Sequence, residues 1–328
     1  MRSCAAMVGF ALLLAAGAPA NAAQPKAGQA EAAKPVTHLV GPNRALRKPS
    51  DAAARVRDGD TVEIEAGDYV DCAVWRANRL TIRARGGEVH VRDKSCAGKG
   101  IWILQGDQIT IEGIRFSGAA VPDRNGAGIR AHGGSFTVRN SVFERNENGI
   151  LTNAGANARI VIEGSTFVGN GKCEPHCAHG IYIGEVASLE VRGSTFRGQK
   201  VGHHIKSRAK KTTVIGNRIE DGADGTASYL IDVPWGGEVL ITGNLLHKGP
   251  LSENRGTAIA IGAEGARHPT PSIRVEDNSF RSDLVTPEPV AFVRNRTETP
   301  ARLKGNRLCG AVAPLIGPGE VQATKWCD

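Results

Sequence analysis

The sequence predicts an all-β fold, a parallel β-helix in which the chain winds as a solenoid. Three observations carry that prediction: a patterned segment recurs, its apolar residues alternate as in strands, and asparagine returns at one place in the later copies. The copies are Ile111–Phe116, Val138–Phe143, Ile162–Phe167, Val191–Phe196, Val214–Ile219, Ile241–Leu246, Val275–Phe280 and Leu303–Leu308. Each reads apolar, polar, Gly/Asn/Asp, two free positions, apolar, and they follow one another at 23 to 34 residues. A period of that size marks a solenoid or an array. Alternation at period two with β-branched residues, closed by Gly or Asn, marks strands. One coil cannot bury its own apolar face, so coils stack about 4.8 Å apart and share a core. Asn217, Asn244, Asn278 and Asn306 are then expected to stack on one another.

Residues 1–22 carry the marks of a secretory signal. Arg2 gives the positive start, Val8 to Ala16 the apolar run, and Ala20-Asn-Ala22 the small-x-small cleavage site. The run is too short to span a bilayer. Residues 23–36, rich in Ala, Lys, Gln, Gly and Pro, read as a flexible linker. Residues 37–328 read as one β-helix domain. Pro49 opens a short helix with Ser50 as its N-cap, and a strand follows before Tyr69. Helix and strand together are expected to cap the open end of the solenoid. Residues after Cys309 are expected to cap the other end.

A second strand precedes each patterned segment. These strands open at Gly100, Gly128, Gly149, Gly180, His204, Leu230 and Ala258, each followed by Ile. With Ile inward, the next residue faces out. The outward column is therefore Trp102, Arg130, Leu151, Tyr182, Lys206, Asp232 and Ala260. Asp221–Thr226, Gly249–Gly256 and Gly262–Thr270 are insertions in turns, where a solenoid commonly builds its binding face.

The net charge of +8 favours an anionic partner. Export argues against nucleic acid and leaves an acidic polysaccharide, met in the periplasm or outside the cell. No membrane insertion is expected, and the protein reads as a monomer. Loss of Cys4 with the signal leaves six cysteines, an even count that suggests disulfides in an exported chain. Proximity favours Cys72–Cys96, Cys173–Cys177 and Cys309–Cys327. The spacing of Cys173, His176, Cys177 and His179 also suits zinc, but an oxidising compartment favours the disulfide. Gly126 to Ala131 matches G-x-G-x-x-A without the helix that a dinucleotide site needs. No cofactor is expected, and the need for a divalent metal is left open.

The helix followed by Gly59-Asp-Thr-Val62, and the Gly-Asn-x-Leu turns at Gly243 and Gly305, resemble the right-handed parallel β-helix superfamily of pectin-lyase-like proteins. That superfamily includes pectate lyases and alginate-modifying enzymes. Asp123 to Arg130, Asn148 to Leu151, Ile181 to Gly184, Gly202 to Ala209 and Ala227 to Asp232 resemble more narrowly a group of exported bacterial β-helix repeat proteins. The likeness covers roughly residues 37 to 310. It implies a right-handed solenoid and action on acidic polysaccharides. The Trp-Ile-Asp-His stretch of pectate lyases, the Asp-Pro-His stretch of mannuronan epimerases and the Asp-rich calcium nonapeptide are missing from the sequence.

The outward column sets Tyr182, Lys206 and Asp232 on consecutive coils. Arg208 lies two residues beyond Lys206 on the same side. His179, His203 and Tyr229 share the place two residues before the inward Ile, and His203 and His204 must face opposite ways. These are the residue types that β-elimination of a uronate needs. Arg208 can neutralise the carboxylate that acidifies C5. Lys206 or His203 is the expected base and Tyr182 or Tyr229 the expected acid, with Asp232 in the catalytic set. Epimerisation uses the same abstraction, with the proton returned from the other face. His179 and Tyr229, together with Arg130 and His132, are expected to bind the substrate. Hydrolysis by Asp232 with Glu264 or Asp224 is a weaker enzyme reading. The pattern points to a polysaccharide lyase or epimerase. Its rival is a non-catalytic polysaccharide-binding or cell-envelope protein, with Lys206 and Asp232 as a solvated ion ladder.

Overall fold

The computed structural model describes residues 34–174 and 177–327. The expected signal, most of the expected linker, and His176 lie outside them. The strands pair in parallel, coil upon coil, as a right-handed parallel β-helix. Ten strands from Ala73–Trp75 to Val312–Ile316 form one sheet. The patterned segments fall in a longer sheet, which bends once in each coil.

The bend explains the pattern. Gly113, Asn140, Gly164, Gly193, Gly216, Gly243, Asp277 and Gly305 fill its third position, and all have φ between 48° and 72°. Only Gly, and less readily Asn or Asp, takes that left-handed geometry cheaply. The next residue turns inward and ladders. Asn217, Asn244 and Asn278 each donate their backbone N–H to the side-chain oxygen of the Asn one coil on, at 2.9, 3.0 and 3.0 Å. The ladder begins earlier, with serine: Ser141, Ser165 and Ser194 pass the same bond along to Asn217.

Inside, Phe116, Phe143, Phe167 and Phe196 stack at 5.1, 4.8 and 4.5 Å between ring centroids, which is the coil spacing. Trp102 extends this stack, edge-on to Phe116 at 4.9 Å and to Trp75 at 5.2 Å. It is fully buried, so its expected outward place is corrected. Trp102 aligns with the inward Ile129, and Ile103 aligns with Arg130. Burying a large aromatic against the stack outweighs the parity read from the motif. The rest of the column stands in register as expected: Arg130, Leu151, Tyr182, Lys206, Asp232, Ala260.

One detail near the N-terminal end differs from expectation. The helix is Pro49–Ala53 and Ser50 is not its N-cap; its N–H and hydroxyl both bind the Asp71 carboxylate. Asp51 instead accepts the backbone N–H groups of Arg47 and Lys48, which precede the helix. Residues after Cys309 form a further coil, Val312–Ile316, Gly319–Gln322 and Lys325–Trp326. The three disulfides join Cys72 to Cys96, Cys173 to Cys177 and Cys309 to Cys327, as spacing favoured.

Candidate functional site

The outer face of the ten-stranded sheet gathers the ionisable cluster. A cavity of about 590 Å³ opens there, lined by His179, Tyr182, His203 and Lys206 with Asn125, Ser228 and Glu253 from turns. A larger one, about 830 Å³, lies on the long sheet beside Cys309 and Cys327. Its charged groups are the exposed Arg281 and Arg307, the half-buried Glu220 and the His247–Asp283 pair, and it holds no buried ionisable group. The smaller cavity is where the buried chemistry lies.

Lys206 and Asp232 face outward but are not solvated. They are 9% and 2% exposed, so the solvated ion ladder is corrected. Lys206 Nζ donates to Glu264 Oε1 at 2.6 Å and lies 3.4 Å from Asp232 Oδ2. It is held between two carboxylates. Arg208 donates from Nε and Nη2 to Glu264 Oε2, at 3.1 and 2.6 Å, and from Nη1 to the Tyr182 hydroxyl. Burial works to raise the Glu264 carboxyl, but the hydrogen bonds from Lys206 and Arg208 outweigh it and hold it below its ordinary range.

Asp232 behaves differently. Burial pushes its carboxyl up to about 6, against the opposing pull of Lys206. Its Oδ1 has no hydrogen-bond partner among the described residues. Oδ2 lies 3.4 Å from His203 Nε2 as well as from Lys206.

The two histidines that face the cavity form a ladder of their own. His179 Nδ1 accepts the His203 N–H at 3.0 Å, and His203 Nδ1 accepts the Tyr229 N–H at 3.2 Å. The rings stack at 4.8 Å, and the Tyr229 ring continues the stack at 4.9 Å. With Nδ1 accepting, a neutral imidazole carries its hydrogen on Nε2. Burial, then the Lys206 charge, brings His203 down to about 3. Burial, then His203, drives His179 well below its ordinary value. Both are neutral and present a hydrogen on Nε2.

The neighbouring His204 faces inward, as alternation requires. It pairs with the buried Asp221 at 2.9 Å. Asp221 also binds the Ser252 hydroxyl and the Gly249 N–H, which pins the insertion that brings Glu253 to the cavity. Lys248, buried nearby and lowered by that burial to about 8, donates to Ser228 O at 2.6 Å. Alternation predicts which way His204 points but not this network, whose other members sit in turns and at a strand end.

Other expected residues are not brought in. Arg130 is half-buried two coils away and bonds Asn153, while His132 is exposed; neither lines the cavity. Asp224 pairs with Lys200 on an exposed turn, so it is no partner for Asp232. Glu264 does reach the site, from the Gly262–Thr270 insertion. Trp235 is a residue that sequence reasoning missed. Its Nε1 donates to Glu264 Oε2 at 3.1 Å, and its ring lies between Arg208 and Arg267 at 4.9 and 4.3 Å. It sits just outside the repeat, so no period singles it out.

No helix among the described residues is long and apolar enough to cross a membrane. No curated protein matches the sequence. Among solved structures the chain is similar to pectate lyase Pel9A, with 12% identity and a TM-score of 0.49 over 89% of this chain and 78% of that one. It is similar also to the A-module of the mannuronan C-5 epimerase AlgE6 of Azotobacter vinelandii, with 14% identity and a TM-score of 0.49 over 90% and 89%. Likeness at that level says nothing of the site. The sequence itself matches a family model over residues 62–262, most of the β-helix. Three disulfides agree with a periplasmic or secreted location, and the chain belongs to the family described as periplasmic copper-binding protein (NosD).

Proposed function

We propose that the outer face of the ten-stranded sheet takes a uronate-containing polysaccharide and removes its C5 proton, as in β-elimination or epimerisation. The observation that carries this reading is a buried carboxyl held near 6, beside Lys206 on the neighbouring strand, with Arg208 just past that strand's end. Lys206 and Arg208 neutralise the sugar carboxylate and so acidify the C5 proton. Asp232 is the base, with a pKa near working pH, where a base is most effective. Tyr182, hydrogen-bonded to Arg208, donates to the departing oxygen. Glu264 occupies Lys206 and Arg208 at rest, so the reading requires its side chain to give way when substrate binds.

A second reading is binding without turnover. It is favoured by the lining itself, since His179, His203 and Lys206 all present donors. Ultraviolet absorbance of the unsaturated product on alginate, pectate and glycosaminoglycan pools tests elimination, and deuterium uptake at C5 tests epimerisation. Catalysis predicts a signal that drops about a hundredfold or more in Lys206→Ala and Asp232→Asn. Retention of polysaccharide on the folded protein with neither signal establishes the binding reading instead.

Copper, named in the family's description, does not fit this site. Copper takes imidazole nitrogen, thiolate or thioether ligands. The six described cysteines are in disulfides, and both methionines lie outside the described residues. His179 and His203 spend Nδ1 on backbone N–H groups and keep a hydrogen on Nε2. Among the described residues no three His, Cys, Asp or Glu side chains are grouped to hold a metal ion.

A further inference from the structure

The cation pair is already satisfied, by a residue of the chain's own. Four donors converge on the Glu264 carboxylate: Lys206 Nζ at 2.6 Å, Arg208 Nη2 at 2.6 Å, Arg208 Nε at 3.1 Å and Trp235 Nε1 at 3.1 Å. An ammonium, a guanidinium side edge and an indole N–H are what would hold the carboxylate of an acidic sugar. Arg208 is itself fixed, stacked between Trp235 at 4.9 Å and Tyr182 at 5.1 Å. The donors form a rigid receptor, and Glu264 fills it.

The Glu264 backbone is fixed too. Its N–H donates to Pro234 O at 3.1 Å, Gly262 N–H to Val233 O at 2.9 Å, and Arg267 and His268 N–H both to Trp235 O. His268 Nε2 binds Arg208 O at 3.0 Å. The turn therefore stays while the side chain, 34% exposed, is free to rotate toward solvent.

We propose that Glu264 is an internal stand-in for a substrate carboxylate, and that Lys206, Arg208 and Trp235 form a carboxylate subsite opened by rotation of the Glu264 side chain. The inference rests on the acidic-sugar reading above and adds its specificity. A neutral sugar cannot displace Glu264 cheaply, because it would leave Arg208 without its carboxylate and Lys206 with Asp232 alone. A uronate exchanges one carboxylate for another at little electrostatic cost.

The test needs no turnover. Sodium glucuronate is titrated into the full chain at constant ionic strength, with methyl glucoside as the neutral control. The Trp235 indole N–H resonance, assigned through Trp235→Phe, reports occupancy by NMR. Glu264→Ala should bind glucuronate roughly tenfold tighter than the wild type, show no saturable shift with methyl glucoside, and lose the gain when Arg208→Ala is added. Glu264→Gln keeps the shape, should gain less, and carries the test if the alanine variant does not fold. Equal glucuronate affinity in wild type and both variants, or an equal response to methyl glucoside, overturns the proposal. Glucuronate capture without any polysaccharide turnover would remove the catalytic reading and leave this one standing.

Discussion

Asp232→Asn should stabilise the protein at neutral pH and destabilise it in acid. The Asp232 carboxyl sits at about 6 in the fold against its ordinary 3.8, with burial as the main cause. Between those values the folded state holds a proton that the unfolded chain has released, so stability falls as pH rises. Above about 6 the full penalty of the buried charge is present, roughly two pKa units or about 3 kcal/mol. Asparagine removes it. Its amide must occupy the place of Oδ1, where no partner exists among the described residues, at a cost of about 1 kcal/mol or more. The variant should therefore be more stable than wild type by about 1–2 kcal/mol near pH 7.5, and less stable by about 1 kcal/mol near pH 4. Urea unfolding followed by circular dichroism at several pH values reads the difference, and the titrations of groups remote from Asp232 cancel between the two proteins. A difference that does not change with pH would show that Asp232 keeps an ordinary pKa, and the case for it as a tuned base would go with it.

Two further outcomes follow from the fold and the donors. Asn244→Ala removes the acceptor of the Asn217 N–H and a donor to Val214 O; with two buried groups orphaned, calorimetry should show a loss of about 2–5 kcal/mol, and a loss under about 0.5 kcal/mol would mean the ladder is ornamental to stability. Copper titrated into the dialysed protein should leave the His179 and His203 ring resonances unbroadened at one equivalent; broadening that is abolished in the folded His179→Ala variant would contradict the tautomers assigned from the Nδ1 contacts.

The fold was legible because a solenoid writes its geometry into its period. The third position of the repeat is Gly, Asn or Asp because the bend needs a positive φ there, as Gly113, Asn140 and Asp277 show alike. The outward column was legible because parity along a strand is strict. It slipped only at Trp102, where Gly100 aligns with Ala127 and not with Gly128. What the residues do was much less legible. Whether His203 is a base depends on what meets its Nδ1, and that is a backbone N–H of the next coil. Whether Lys206 is a base depends on Glu264, which lies 58 residues away. Glu264 and Trp235 lie outside the repeat, where no period places them. The coils thus fix the spacing of Tyr182, Lys206 and Asp232, while the irregular turns between them set their electrostatics. Two proteins could share every repeat position here and differ through one insertion, because residues 262–270 bring the carboxylate that Lys206 and Arg208 hold.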